Sequence, residues 1–317
     1  MNKESETEIH DVIILGAGPA GLAAALYVAR ADLNPLVLTG TQIGGQAALT
    51  NQIENYPGFP DGVGGLELSD LFQKNAERFG AVLEFDNATS VDLSVRPFSV
   101  NTYGKTYKAK TLIITTGASP NELGIPGELE FRGKGVSYCG TCDGWFFKEK
   151  KVIVVGGGDS ALEEGIFLTR YATSVTIIHR RDELRAGAIL KERAFNNPKI
   201  SFIWDTVVKE IKGSEGVEKI ITENLNTGVQ SEITTDGFFV FIGHTPNSDM
   251  FKGQLEMDDA GYLIVDNLMH TSVEGVFAAG EIADPHFRQV ITSAGMGAAA
   301  GIEATHFLEN QEYFLNK

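Results

Sequence analysis

The segment Asp11-Val-Ile-Ile-Leu15, followed directly by Gly16-Ala-Gly18-Pro-Ala-Gly21, decides how this chain is read. Its run of apolar residues predicts a short strand buried on both faces, and the Ala-rich stretch to about Ala31 predicts a helix. A strand, a glycine turn and a helix in that order open a Rossmann unit. The glycines permit the tight turn and let the backbone approach a pyrophosphate seated on the helix N-terminus. Gly16, Gly18, Pro19, Ala20 and Gly21 are therefore candidate cofactor-binding residues. The plainer alternative is a glycine-rich turn that only packs helix on strand. One part of the fingerprint is missing: the second strand, Pro35 to Leu38, ends in Thr39-Gly40 where a ribose-binding acid is expected. An adenosine ribose must be held there by other means.

The pattern returns at Lys151-Val-Ile-Val-Val155, which leads into Gly156-Gly157-Gly158-Asp159-Ser160-Ala161 and a helical stretch to Arg170. The next strand, Ser174 to Ile178, ends in His179-Arg180-Arg181, with Arg185 four residues beyond. Arginines stand where an NAD site places an acid. A planar guanidinium matches a phosphate bidentately, whereas a carboxylate would oppose a 2′-phosphate, so this loop predicts NADPH. An exposed basic helix start is the alternative.

Only two cysteines occur, as Cys139-Gly-Thr-Cys142-Asp143, shortly before the second loop. Cys-x-x-Cys spacing keeps two sulfurs within bonding reach and lowers one thiol pKa, which suits cycling between disulfide and thiolate. Half of a zinc site is the competing reading, but zinc takes about four ligands and the sequence has neither a second Cys pair nor a closely spaced His pair.

With 317 residues the chain is long enough for two domains. Its 42 acidic and 26 basic side chains give a net charge of −16, which argues against a nucleic-acid or anionic-membrane partner. The uncharged run Val12 to Ala29 raises the question of a membrane span or signal peptide. Glu4, Glu6, Glu8 and Asp11 precede it where a signal carries positive charge, and Pro19 interrupts it. A cytoplasmic protein with a working Cys pair is the expectation.

Each half begins with a strand, glycine loop and helix, and closes with an apolar strand running into glycine, Thr111 to Gly117 and Phe238 to Gly243. The later stretches Gly275 to Gly280 and Ser293 to Gly301 are more like pieces of the first half. The expected fold is α/β, with two Rossmann-like, three-layer nucleotide-binding domains. The second, residues 118–247, is inserted in the first, residues 1–117 and 248–317.

Taken in order, GAGPAG at 16–21, GGQ at 44–46, ENYPGFP at 54–60, TTGASP at 115–120, CGTCDG at 139–144, GGGDSA at 156–161, HRRDELRA at 179–186, IGHTPN at 242–247, FAAGEIAD at 277–284 and RQVITSAG at 288–295 closely resemble the low-molecular-weight thioredoxin reductases of bacterial and plant type. The resemblance runs nearly end to end. It implies a homodimer with FAD in the first domain, NADPH in the inserted one and a thioredoxin-like protein as electron acceptor. Carried over by position, it implies FAD contacts from Thr39, Gly40, Gly44, Gly45, Gln46, Asn55 and Gly280, and from the segment Glu281 to Val290, which includes Arg288 and Gln289. Cys139 and Cys142 become the redox disulfide, with Asp143 as the acid that protonates a leaving thiolate; a helix N-cap or turn residue is the alternative for Asp143. Gly156, Gly158, Asp159, Ser160, His179, Arg180, Arg181 and Arg185 become the NADPH site. His244 is as readily a structural residue as one near the chemistry. The chain departs from the family in having Glu281 where Asp is usual and Gly140 where Ala is usual.

The implied reaction is hydride transfer from NADPH to FAD, electron return to the disulfide, and thiol–disulfide exchange with thioredoxin, with the inserted domain rotating on its connecting strands. A ferredoxin-fed or O2-dependent dithiol flavoprotein is the nearest enzymatic rival and needs no such arginines. A non-enzymatic flavin-bound redox sensor is the other.

Overall fold

The computed structural model describes residues 8–50 and 52–315. The chain divides into two compact units, Met1–Ser119 with Thr245–Lys317, and Pro120–His244.

In the first unit the strands run Val82–Glu84, Leu36–Leu38, Ile9–Leu15, Thr106–Ile114, Phe98–Asn101 and Ser90–Asp92 across one sheet, with Val276–Ala278 also paired to Thr106–Ile114. Pairing is parallel except where Phe98–Asn101 joins its two neighbours. Parallel strands buried on both faces must be apolar at successive positions, and Val12, Ile13 and Ile14 are fully buried. Side-chain alternation divides them: Ile13 and Leu15 join Leu36, Phe98 and Leu112 in one core, whereas Val12 and Ile14 face Leu22, Val28 and Ala304 in the other. The helices covering that second face, Pro19–Arg30 and Val290–Leu315, meet through small residues. A Cβ on Gly297 would stand 2.0 Å from the Ala20 carbonyl oxygen. The small-residue stretch Ser293 to Gly301 is thus what lets the last helix seat on the first.

The second unit has an all-parallel sheet ordered Ile200–Ile203, Ser174–Ile178, Lys151–Gly156, Gly237–Phe241, Val136–Ser137. Helices Asp159–Leu168 and Ala188–Phe195 supply residues to the core on one face. The core on the other face takes in Val208, Val217 and Ile220 from an antiparallel sheet of Thr206–Gly213, Val217–Asn224 and Gln230–Thr234. The third layer here is strands rather than helices.

Both connections between the units pass through a two-stranded ribbon, Ala118–Pro120 paired with His244–Pro246. The Asn247 side-chain amide donates to the Thr116 carbonyl at 2.8 Å, and the Thr116 hydroxyl donates to the Asn247 carbonyl at 2.9 Å. The expected crossings at 117/118 and 247/248 lie at the ends of this ribbon, and the compact units separate within it, at 119/120 and 244/245. Half-buried His244 is one of its residues. Among the described residues no helix is long and apolar enough to cross a membrane.

Candidate active site

The three glycines of the first loop do three different things. Gly16 has φ +107°, and a Cβ there would meet the Thr115 carbonyl oxygen at 2.5 Å. Gly21 packs so closely that a Cβ would lie 1.9 Å from the Gly16 carbonyl oxygen, but around Gly18 nothing comes within 4 Å of that position. Gly18 is the N-cap of helix Pro19–Arg30, and no side chain caps it. Open space over uncapped amides is a cradle for a diphosphate.

Other expected residues gather at this loop. The Gly44 N–H donates to the Ala17 carbonyl at 2.7 Å, and a Cβ on Gly45 would stand 3.5 Å from the Gly18 Cα. Gly280 reaches the loop from the far end of the sequence: with φ +78°, its Cβ would lie 2.8 Å from the Ala20 Cβ. The Gly16 N–H donates to the Leu38 carbonyl at 2.9 Å, which brings Thr39 and Gly40 to the same strand ends. Thr39 is buried, and its hydroxyl donates to the Gly40 carbonyl at 3.0 Å. The Asn55 amide donates to the Gln289 side-chain oxygen at 3.0 Å, and Val290 packs against the small core of Ala47, Ile53, Val63 and Leu68. The structure thus joins motifs more than two hundred residues apart.

Glu281 is partly buried, and burial pushes its carboxyl up to about 7; Asp284 adds to the rise and Arg288 opposes it. Arg288 holds φ +50°, with its Nε donating to the Pro285 carbonyl at 3.0 Å. Asp284 lies in the same segment. One of its oxygens accepts the His286 and Phe287 N–H groups at 2.9 and 3.0 Å, and the other is buried without a hydrogen-bond partner. A buried unpartnered carboxylate oxygen beside a nucleotide-binding motif fits a ligand hydroxyl.

In the second unit the glycines repeat the division of labour. A Cβ on Gly156 would meet the Phe241 carbonyl oxygen at 2.4 Å, while Gly158 is open to 4 Å. Gly157 lies against the His179 imidazole, where a Cβ would come within 2.3 Å of the ring. His179 is only 5% exposed, and burial holds its pKa below the usual value; Arg185 and Arg181 add to the lowering and backbone carbonyls of Gly156 and Glu183 oppose it. The imidazole is therefore neutral padding under the loop, with its guanidinium neighbours outside. The Gly157 carbonyl accepts the Arg185 N–H at 2.7 Å and the Ala186 N–H at 3.2 Å. Asp159 accepts the Gly187 N–H at 2.7 Å. These bonds tie the arginine segment to the glycine loop. Arg180, Arg181 and Arg185 are all exposed, and Ser160 is the second residue of the helix behind the loop.

Cys139 and Cys142 form a disulfide. Cys139 is the N-cap of the short helix Gly140–Asp143, its sulfur accepting the Cys142 N–H at 3.2 Å. Asp143 stands at the N-cap position of the following 3-10 turn, but its side chain makes no capping bond there. Its carboxylate accepts the Ser137 hydroxyl at 2.6 Å, and the Cys139 N–H donates to that same Ser137 oxygen at 3.1 Å. Burial raises the Asp143 pKa and the bond from Ser137 opposes the rise. A carboxyl pushed upward beside a disulfide holds its proton to higher pH than an ordinary aspartate, which suits proton donation. Two neighbours escaped the sequence reading. Ser137 gave no signal as a single strand residue, and Trp145, 51% exposed with Lys148 over its ring, stands just beyond the redox helix.

The family model described as pyridine nucleotide-disulphide oxidoreductase matches residues 10–297. The thioredoxin reductase of Streptomyces coelicolor is 48% identical over 305 residues, covering 95% of both chains. That of Rickettsia bellii is 50% identical over 302 residues, 94% of this chain and 97% of the relative. Among solved structures, thioredoxin reductase from Streptococcus pyogenes superimposes with a TM-score of 0.92 at 42% identity, covering 96% of this chain and all of that one.

Proposed function

Because this chain belongs to the pyridine nucleotide-disulphide oxidoreductase family, and within it to the thioredoxin reductases, we propose that it passes electrons from NADPH through FAD and the Cys139–Cys142 disulfide to oxidised thioredoxin. The observation that carries the reading is the joining, in one compact unit, of a redox disulfide and a glycine loop tied to three exposed arginines.

FAD belongs to the unit of Met1–Ser119 and Thr245–Lys317, and NADPH to Pro120–His244. The open space at Gly18 fits the FAD diphosphate, with Gly16, Pro19, Ala20 and Gly21 shaping it and Gly44, Gly45, Gln46 and Gly280 closing round it. Thr39, Gly40, Asn55, Glu281, Arg288, Gln289 and Val290 complete that site. When bound, FAD supplies the conversion between hydride and thiol chemistry. In the other unit Gly156, Gly158, Asp159 and Ser160 receive the NADPH diphosphate, His179 supports the loop, and Arg180, Arg181 and Arg185 pair with the 2′-phosphate.

Reduction of the disulfide frees two sulfurs, one of which attacks the thioredoxin disulfide as a thiolate while Asp143 protonates a leaving thiolate. Ser137 holds the acid in line with the Cys139 backbone. Exposed Trp145 belongs to the face that thioredoxin covers. A cytoplasmic homodimer is the assembly carried forward. A cysteine pair used for cycling belongs in a reducing compartment, and Leu66 and Leu71 stand exposed on helix Gly65–Arg78, where a second copy would cover them.

The test is anaerobic titration of the purified protein with NADPH, followed by oxidised thioredoxin. Flavin bleaching by NADPH and recovery of colour on adding thioredoxin are the expected results. A flavin that NADPH leaves oxidised rejects the reading.

A further inference from the structure

The redox helix is gripped by a carboxylate from the nucleotide helix. Glu164, on Asp159–Leu168, accepts the Thr141 N–H at 3.0 Å through Oε2. Thr141 in turn sets its hydroxyl 3.4 Å from the Cys139 sulfur, which itself accepts the Cys142 N–H at 3.2 Å. Carboxylate and sulfur thus take adjacent amides of one short helix and divide its positive field between them. Gly140 permits the approach. A Cβ there would stand 2.3 Å from Glu164 Oε2, so any larger residue drives the carboxylate off.

We propose that Glu164 is a positioning residue that keeps the Cys139–Cys142 pair strongly reducing, by fixing a negative charge beside the sulfurs on which reduction places another. This rests on the redox role given to the pair above. Reduction breaks the S–S bond and takes up two electrons, originating from NADPH. It also takes up one proton when it leaves a thiol beside a thiolate, or two when both sulfurs are protonated. A neighbouring carboxylate raises the free energy of the thiolate and leaves the neutral disulfide untouched. The equilibrium moves toward the disulfide, and the dithiol becomes the better electron donor. The other charges on the elements round the redox helix are Asp143, bonded to Ser137, Asp159, bonded to the Gly187 amide, exposed Glu163, and Lys148 over Trp145. Those stay the same in every variant below.

Glu164→Gln keeps an oxygen for the Thr141 amide and removes only the charge. Gly140→Ala keeps the charge and displaces it, at low cost because the atom that must move is the end of a flexible side chain. The parent, both single variants and the double variant, each as the FAD-loaded protein, are equilibrated with graded mixtures of reduced and oxidised dithiothreitol. Free thiols are then alkylated and counted by mass. At about pH 8 each single variant should shift the equilibrium toward dithiol by about threefold to tenfold, tenfold being about 30 mV for a two-electron couple. The shift should shrink toward about pH 6, where thiolate is scarce. The double variant should match Glu164→Gln alone, since alanine then has no charge to displace. Equal midpoints for the parent and Glu164→Gln, or an alanine effect that adds in full to the glutamine effect, overturns this inference and leaves the proposed function standing. A parent disulfide that never exchanges with the buffer removes both.

Discussion

The raised carboxyl of Glu281 makes the stability of its unit fall as pH rises. An ordinary glutamate titrates at 4.5, and this one is pushed to about 7, mainly by burial. At about 1.36 kcal/mol per unit, the rise amounts to about 3 kcal/mol. The native state binds more protons than the unfolded chain only between those two values, so stability declines across that window and is flat on either side. Above about pH 7 the full penalty of burying the charge is present; below about 4.5 it is absent. Glu281→Gln keeps the shape and removes the ionisation. In the FAD-free protein the parent should therefore lose about 2–3 kcal/mol more than the variant between pH 5 and pH 8. The probe must report the correct unit. Both tryptophans, Trp145 and Trp204, lie in Pro120–His244, so hydrogen exchange of helix Val290–Leu315 under graded urea is the assay. Hydroxyls of bound FAD that donate to the carboxylate favour its charged form, so FAD should flatten the decline and bind more tightly as pH rises through the window. Identical pH slopes in parent and variant would refute the argument.

Cys139→Ser and Cys142→Ser should each abolish disulfide reduction while NADPH still bleaches the flavin, and substantial thioredoxin turnover by either would contradict the redox assignment. Asp143→Asn should slow thioredoxin reduction by about 10²-fold, the scale of a lost general acid; an unchanged steady-state rate would leave Asp143 only its bond to Ser137. The parent should prefer NADPH to NADH by about 10²- to 10³-fold in kcat/KM, after discounting exposed charge pairs for screening. Arg180→Ala with Arg181→Ala should lose most of that preference through KM for NADPH, and kinetics with both nucleotides would expose the error if NADH use fell equally.

Much of this site was legible because its signals are local. The three positions of each glycine loop carry their own reasons within six residues: a turn, an open approach and a close packing. Strand Ser174–Ile178 has the ends that its apolar run predicts. What escaped depends on partners distant in sequence. Glu164 sits in a Glu-Glu pair on a helix and reads as a solvated face until folding brings Thr141 against it. Asp284 lies in a segment that the resemblance marks, but only the folded chain shows one of its oxygens buried without a partner. The antiparallel sheet from Thr206 to Thr234 went unread because its short apolar alternation reveals nothing of which face it will cover.

The seating of the last helix on the first has a consequence for how the molecule is made. Pro120–His244 is one continuous stretch and is complete as soon as it leaves the ribosome, whereas the first glycine loop waits for Gly280 and Gly297 to be synthesised before Ala20 has its neighbours. At roughly 5–20 residues per second, that wait lasts several seconds after the inserted unit has emerged. The nascent chain therefore carries a finished inserted unit beside a half-built sheet with exposed apolar strands. That interval is when this protein is most exposed to aggregation, and when a chaperone would find it.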